Sequence, residues 1–113
     1  MKFTVSLKKN EQFRQVLKDG KFASSKLLTM FITQNNLPQN RLGISVSKKI
    51  SNKAVVRNKI KRRIKEAYRL IEPSMPQYGY DIVVIPKADA NKASFSEIAF
   101  AVKHLLKRQG FCK

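Results

Sequence analysis

Two periods of apolar residues run along this chain, and each predicts an element. Between Asn10 and Gly20, Phe13, Val16 and Leu17 recur at i, i+3 and i+4, the apolar face of a short helix. Asn10 is placed to cap it and Gly20 to close it. From Leu27 to Thr33 the period drops to two, with Leu28, Met30 and Ile32 on one face and Leu27, Thr29, Phe31 and Thr33 on the other. Asn35, Asn36, Pro38 and Asn40 break the pattern. A second alternating stretch follows, with Leu42, Ile44 and Val46 opposite Gly43, Ser45 and Ser47, and the two stretches read as a hairpin with a long loop. One face of that hairpin is apolar and suited to covering by helices. The other is small and hydroxylated, and carries Phe31.

The period returns to helical from about Val55, where Val56, Ile60, Ile64, Ala67 and Ile71 form one stripe that ends before Pro73 and Pro76. Tyr80 to Ile85 is almost wholly apolar, as in a strand buried on both faces. Ser94 and Glu97 make a capping-box pattern. They open a last helix whose core face is Ile98, Ala101, Val102 and Leu105 and whose stop is Gly110. The order is α-β-β-α-β-α, with room for a further short strand near Lys21 to Ala23. That order predicts an α+β sandwich of two layers, helices on a small mixed sheet, as a single domain over residues 1–113.

Charge turns this fold into a functional expectation. Against 24 Lys and Arg stand 7 Asp and Glu, a formal +17. Such self-repulsion in 113 residues is most simply relieved by a polyanion, with nucleic acid ahead of an anionic membrane surface. No apolar run approaches the roughly 20 residues that span a bilayer. The first ten residues lack the pattern of a secretory signal. The single cysteine, Cys112, has no internal partner. These features suggest the cytoplasm.

The charge concentrates on the helix after Val55. On a helical wheel Arg57, Asn58, Lys61, Arg62, Lys65 and Arg69 lie opposite Val56, Ile60 and Ile64. From Arg41 to Arg69 there are eleven Lys or Arg and one acid, Glu66. A merely solvated helix face mixes Glu with Lys at i, i+4, whereas like charges at that spacing repel. The one-sided stripe therefore points to phosphate contact, with Arg as a planar fork, Lys as a point charge and Asn58 free to meet a base or ribose.

SVSKK at 45–49, followed by KAVVRNKIKRRIKEA at 53–67, resembles the signature of the bacterial ribonuclease P protein family, whose helix carries an Arg-Asn-Arg core. Here the third core position is Lys59, which keeps the charge and loses the fork, and the spacing between Lys49 and Arg57 varies in the family. The resemblance covers the order of elements along the whole chain. It implies a fold like one domain of a ribosomal protein, with a left-handed β-α-β crossover against the usual hand. It also implies a protein subunit that binds a catalytic RNA and the 5′ leader of precursor tRNA, while the RNA does the chemistry with Mg²⁺. By position, Lys48, Lys49, Arg57, Asn58, Lys61, Arg62, Lys65 and Arg69 would face the RNA subunit. Phe13, Leu17, Phe31, Ser45 and Ser47 would line the leader cleft between the first helix and the sheet. Leu17 stands where the family often has Phe. No obligate protein partner is implied.

A protein-borne active site is not expected. His104 is the only histidine, Asp81 and Asp89 flank a strand without a motif, and no Cys/His set has metal-ligand spacing. Catalytic and metal-ligating residues are therefore expected to be none. A ribosomal or chaperone-like RNA-binding protein explains the charge equally well but leaves the long signature without a reason. A major-groove DNA helix lacks its preceding short-turn helix. A membrane-surface helix would carry bulkier apolar residues than Val, Ile and Ala.

Overall fold

The computed structural model describes residues 4–75 and 78–111. In chain order it contains β1 (Thr4–Ser6), α1 (Asn10–Asp19), β2 (Lys21–Ser24), β3 (Leu28–Gln34), β4 (Asn40–Ile44), α2 (Ala54–Ile71), β5 (Tyr80–Pro86) and α3 (Phe95–Arg108). Short 3-10 turns lie at Glu72–Ser74 and Ala88–Asn91. Pro76 and Cys112 fall outside the described residues.

The five strands form one mixed sheet in the order β1-β4-β5-β3-β2. This corrects the expected hairpin: β3 and β4 are not neighbours, because β5 lies between them. β5 runs antiparallel to β3, from Leu28 opposite Pro86 to Gln34 opposite Tyr80. It runs parallel to β4, from Arg41 opposite Asp81 to Ile44 opposite Val84. Alternation fixes which face a side chain takes, not which strand lies beside it. A strand apolar on both faces gains most at the sheet's centre. The helix α2 is therefore the crossover between two parallel strands. β2 occupies the place anticipated for a short strand and pairs antiparallel with β3. β1 was not anticipated, since three residues are too few to show a period. It lies parallel to β4, and the Leu7 N–H to Leu42 O bond (2.9 Å) prolongs the pairing.

Leu28, Met30, Ile32, Leu42, Ile82 and Val84 point to one face, where α2 and α3 cover them and make the two layers of the main core. From α2 come Ile60, Ile64, Ala67 and Tyr68, so Tyr68 replaces the expected Ile71, which is only half-buried along with Val56. Tyr68 is fully enclosed, and its hydroxyl shares a hydrogen bond of 2.8 Å with the Thr4 hydroxyl. Burial pushes this phenol up to about 12; the bonds to Thr4 and Asn40 oppose the shift and nearby Glu72 adds to it. On the other face lies α1, whose Val16 is buried against Val83 and Leu7 with Phe13, Phe31 and Ile85 around them.

The helix ends follow the sequence with one shift. Asn10 is the first helical residue of α1 rather than its cap. Lys9 takes the cap position, and its N–H donates to Gln12 Oε1 at 3.4 Å. Gly20 closes the helix as expected, its N–H donating to Val16 O at 2.8 Å. A Cβ there would meet Val16 O at 2.5 Å and Ile32 O at 3.1 Å, so only glycine lets the chain turn straight from helix into β2. At α3, Glu97 N–H donates to Ser94 Oγ (3.2 Å) and Ser94 N–H to Glu97 Oε1 (3.0 Å), the reciprocal box the sequence suggested.

Candidate nucleic-acid interface

β4 ends at Ile44, earlier than the alternation to Ser47 suggested, although Ser45 N–H still donates to Val84 O at 3.0 Å. Ser47 starts a turn, closed by Ile50 N–H on Ser47 O (3.1 Å), that holds Lys48 and Lys49 exposed. Arg57 reaches back from α2 to donate to Ser51 O at 2.9 Å and so fixes this turn against the helix start. Asn58, Lys61, Arg62 and Lys65 are all exposed on the face away from the core. The first turn of α2 holds no acid and its cap residue Lys53 makes no side-chain cap bond. The helix dipole therefore adds to the positive field at that end.

The stripe is not uniform in strength. Arg69, at its far end, donates to both oxygens of Glu66, at 3.0 and 2.5 Å, and holds that carboxyl below its ordinary range. A phosphate there would meet a cation already half-neutralised. Arg63 was not singled out by the sequence, and it points elsewhere. It donates to Ala93 O at 3.0 Å and ties α2 to the loop before α3.

Beside the stripe run two adjoining hollows that share Phe13, Ile44 and Lys61. One, of about 490 Å³, lies between Asn58, Lys61, Arg62 and Lys65 of α2 and Ser6, Phe13 and Gly43. The other, of about 340 Å³, lies between Asn10, Phe13, Arg14 and Leu17 of α1 and Ser45 and Val46. The cationic helix and the aromatic cleft, separate stretches of sequence, thus form one continuous groove at the C-terminal end of β4. Phe13 sits at its centre because residue 43 has no side chain. A Cβ on Gly43 would come within 2.5 Å of Phe13 Cζ and 3.1 Å of Leu7 Cδ2. Gly43→Ala should therefore displace the ring and cost about 1–3 kcal/mol by overpacking, read as a lower urea midpoint at unchanged slope. An unchanged midpoint would show that the ring has room to spare.

Other expected site residues are placed less simply. Leu17 is exposed at the groove and Ser45 lines it, but Ser47, Lys48 and Lys49 stand beyond it on the turn. Phe31 points to the expected face but lines neither hollow. It is half-buried beside Val16 and Val83, with its ring 5.6 Å from that of Phe22. Phe22 itself is 67% exposed and was missed, because the four residues of β2 show no clear face.

Asp81 is engaged in structure, accepting from Arg41 at 2.6 and 2.7 Å and from Asn35 at 2.9 Å. Among the described residues no three His, Cys, Asp or Glu side chains gather, so the donor set does not fit a metal ion held by protein alone. Nor does any described helix have the length and apolarity to cross a membrane.

The family model described as Ribonuclease P matches residues 1–110. A ribonuclease P protein component from Clostridium kluyveri is 47% identical over 108 residues, covering 95% of this chain and 96% of that protein. The solved ribonuclease P protein of Staphylococcus aureus superposes with a TM-score of 0.85 at 32% identity, over 96% of this chain and 97% of that one. That of Thermotoga maritima gives 0.81 at 32% identity, over 91% and 96%.

Proposed function

Since this chain belongs to the ribonuclease P protein family and is a subunit of ribonuclease P, we propose that its groove holds two RNAs at once. The α2 wall takes the catalytic RNA through Arg57, Asn58, Lys61, Arg62 and Lys65, with Lys48 and Lys49 on the adjoining turn. The α1 wall takes the unpaired 5′ leader of precursor tRNA through Phe13, Leu17 and Ser45. The observation that carries this reading is the shared lining: Phe13 and Lys61 belong to both hollows, so a strand stacked on one lies beside the cations of the other. The RNA supplies the chemistry with Mg²⁺, and the protein binds, aligns and screens phosphate charge. Among the described residues there is no cluster of three carboxylate, His or Cys side chains to hold the metal.

The leader is single-stranded and variable in sequence, and base-on-ring stacking suits both properties because every base has a π face. Phe13→Ala should weaken precursor tRNA binding to the holoenzyme by about 1–3 kcal/mol, or roughly 5- to 150-fold. Mature tRNA, which has no leader, should bind unchanged. Equal losses for both tRNAs would place the leader away from Phe13.

A further inference from the structure

A second aromatic surface lies on α3, outside the groove described. Phe100 is 71% exposed, and its ring stacks on His104 one turn on, with centroids 5.9 Å apart and planes within 6° of parallel. The two rings line a hollow of about 400 Å³ whose far wall is the β2–β3 turn, Ser25 to Leu27. A smaller hollow shares Lys26, Leu27 and Glu97 with it and adds Asp89, Lys92 and Ala93. Lys107 is exposed one turn beyond His104. The one acid in the main hollow, Glu97, keeps its negative charge: the Ser94 cap, whose N–H it accepts, and the nearby Lys26 hold its carboxyl below the ordinary range. Flat rings with cations at the rim form a platform for an unpaired base and its phosphates. The rim cations Lys26, Lys92 and Lys107 outnumber its acids, Glu97 and Asp89, so the rim favours an anionic partner.

The place of this platform supports the same occupant. The β2–β3 turn and the end of β4 lie at the same end of the sheet, since Leu28 pairs with Pro86 and Ile44 with Val84. Between them the α1 face offers Ser45, Thr29 and Ser24, the last two hydroxyls 3.2 Å apart. We infer that the Phe100–His104 platform is a second RNA site, where an unpaired nucleotide stacks on Phe100 while Lys26 and Lys107 hold its flanking phosphates. This rests on the reading of the first groove as an RNA site. The nucleotide can come from the RNA subunit or from the distal part of a long leader.

The test compares Phe100→Ala, Phe100→Leu and Phe100→Trp with the parent chain. The first arm measures affinity for the RNA subunit; the second measures binding of long-leader and short-leader precursor tRNA to the holoenzyme. Leu keeps the apolar volume and the helix, so its reading stands even if Ala perturbs folding. Both Ala and Leu should weaken at least one arm about fivefold or more, the lower end of one lost stack, and Trp should retain parental affinity. A loss in the first arm assigns the nucleotide to the RNA subunit; a loss only with the long leader assigns it to the leader. Unchanged affinities for Ala and Leu, or a loss that Trp shares, would overturn the inference. Arg62→Ala serves as the control: if it weakens RNA binding while the Phe100 variants do not, the first groove stands alone. If neither site responds, the reading of the first groove fails as well.

Discussion

Replacing Lys61, Arg62 and Lys65 together by alanine is expected to lower affinity for the ribonuclease P RNA about a hundredfold near 0.15 M salt. The size follows from counterion release: each neutralised phosphate contributes about 0.7–0.9 to the slope of log K against log[salt], hence roughly 0.6–0.7 of a decade at that salt and about two decades for three. Each single replacement should flatten the slope by about 0.7–0.9. These three cations line the groove wall on α2. Arg69→Ala should do less, because Glu66 already holds that guanidinium. The fold should be untouched, since Lys61, Arg62 and Lys65 are exposed. Titrations at three salt concentrations give both quantities. A loss below about threefold with an unchanged slope would remove α2 from the RNA interface.

The largest effect on stability is expected at Tyr68. Truncation to Ala removes an enclosed ring between α2 and the sheet and should cost about 3–5 kcal/mol. Tyr68→Phe keeps the ring and leaves the Thr4 hydroxyl without its 2.8 Å partner, for about 1–3 kcal/mol. The same residue sets an alkaline limit. Above the ordinary value of 10.0 the phenol ionises in the unfolded chain while the folded one, pushed up to about 12, stays protonated. Its contribution is therefore full below pH 10 and is lost as pH rises toward 12, by about 3 kcal/mol for a two-unit gap. Urea unfolding at pH 9 and pH 11 should show the parent losing more stability between the two than Tyr68→Phe does. Equal losses would mean that another group governs the alkaline limb.

The sequence shows some of this plainly and some not at all. The α2 stripe was legible because a helix carries its own evidence: core residues at three- and four-residue spacing, cations opposite. The directions of Phe31 and Gly43 were legible for the same reason, since a period of two is a local property. Strand neighbours are not local. Nothing between Leu28 and Ile44 signals that Val83 will lie between Phe31 and Gly43, because β5 arrives only after the whole of α2. The union of the two candidate sites depends on that arrangement. Phe13 and Lys61 line the same hollows, with the ring seated over Gly43, a meeting of three elements that no window of sequence contains. Tyr68 lies beside the stripe that the spacing marks, and the partner of its buried hydroxyl, Thr4, comes from a strand too short to predict.

The central claim is that this chain acts through a catalytic RNA. The direct test is precursor tRNA cleavage by the ribonuclease P RNA at limiting Mg²⁺, with and without the purified protein. Screening of phosphate repulsion by the groove predicts cleavage that is slow with RNA alone, restored on adding the protein, and absent with protein alone. The triple variant of Lys61, Arg62 and Lys65 should fail to restore it at the same concentration. Cleavage by RNA-free protein, or RNA activity that the protein leaves unchanged, would contradict the account.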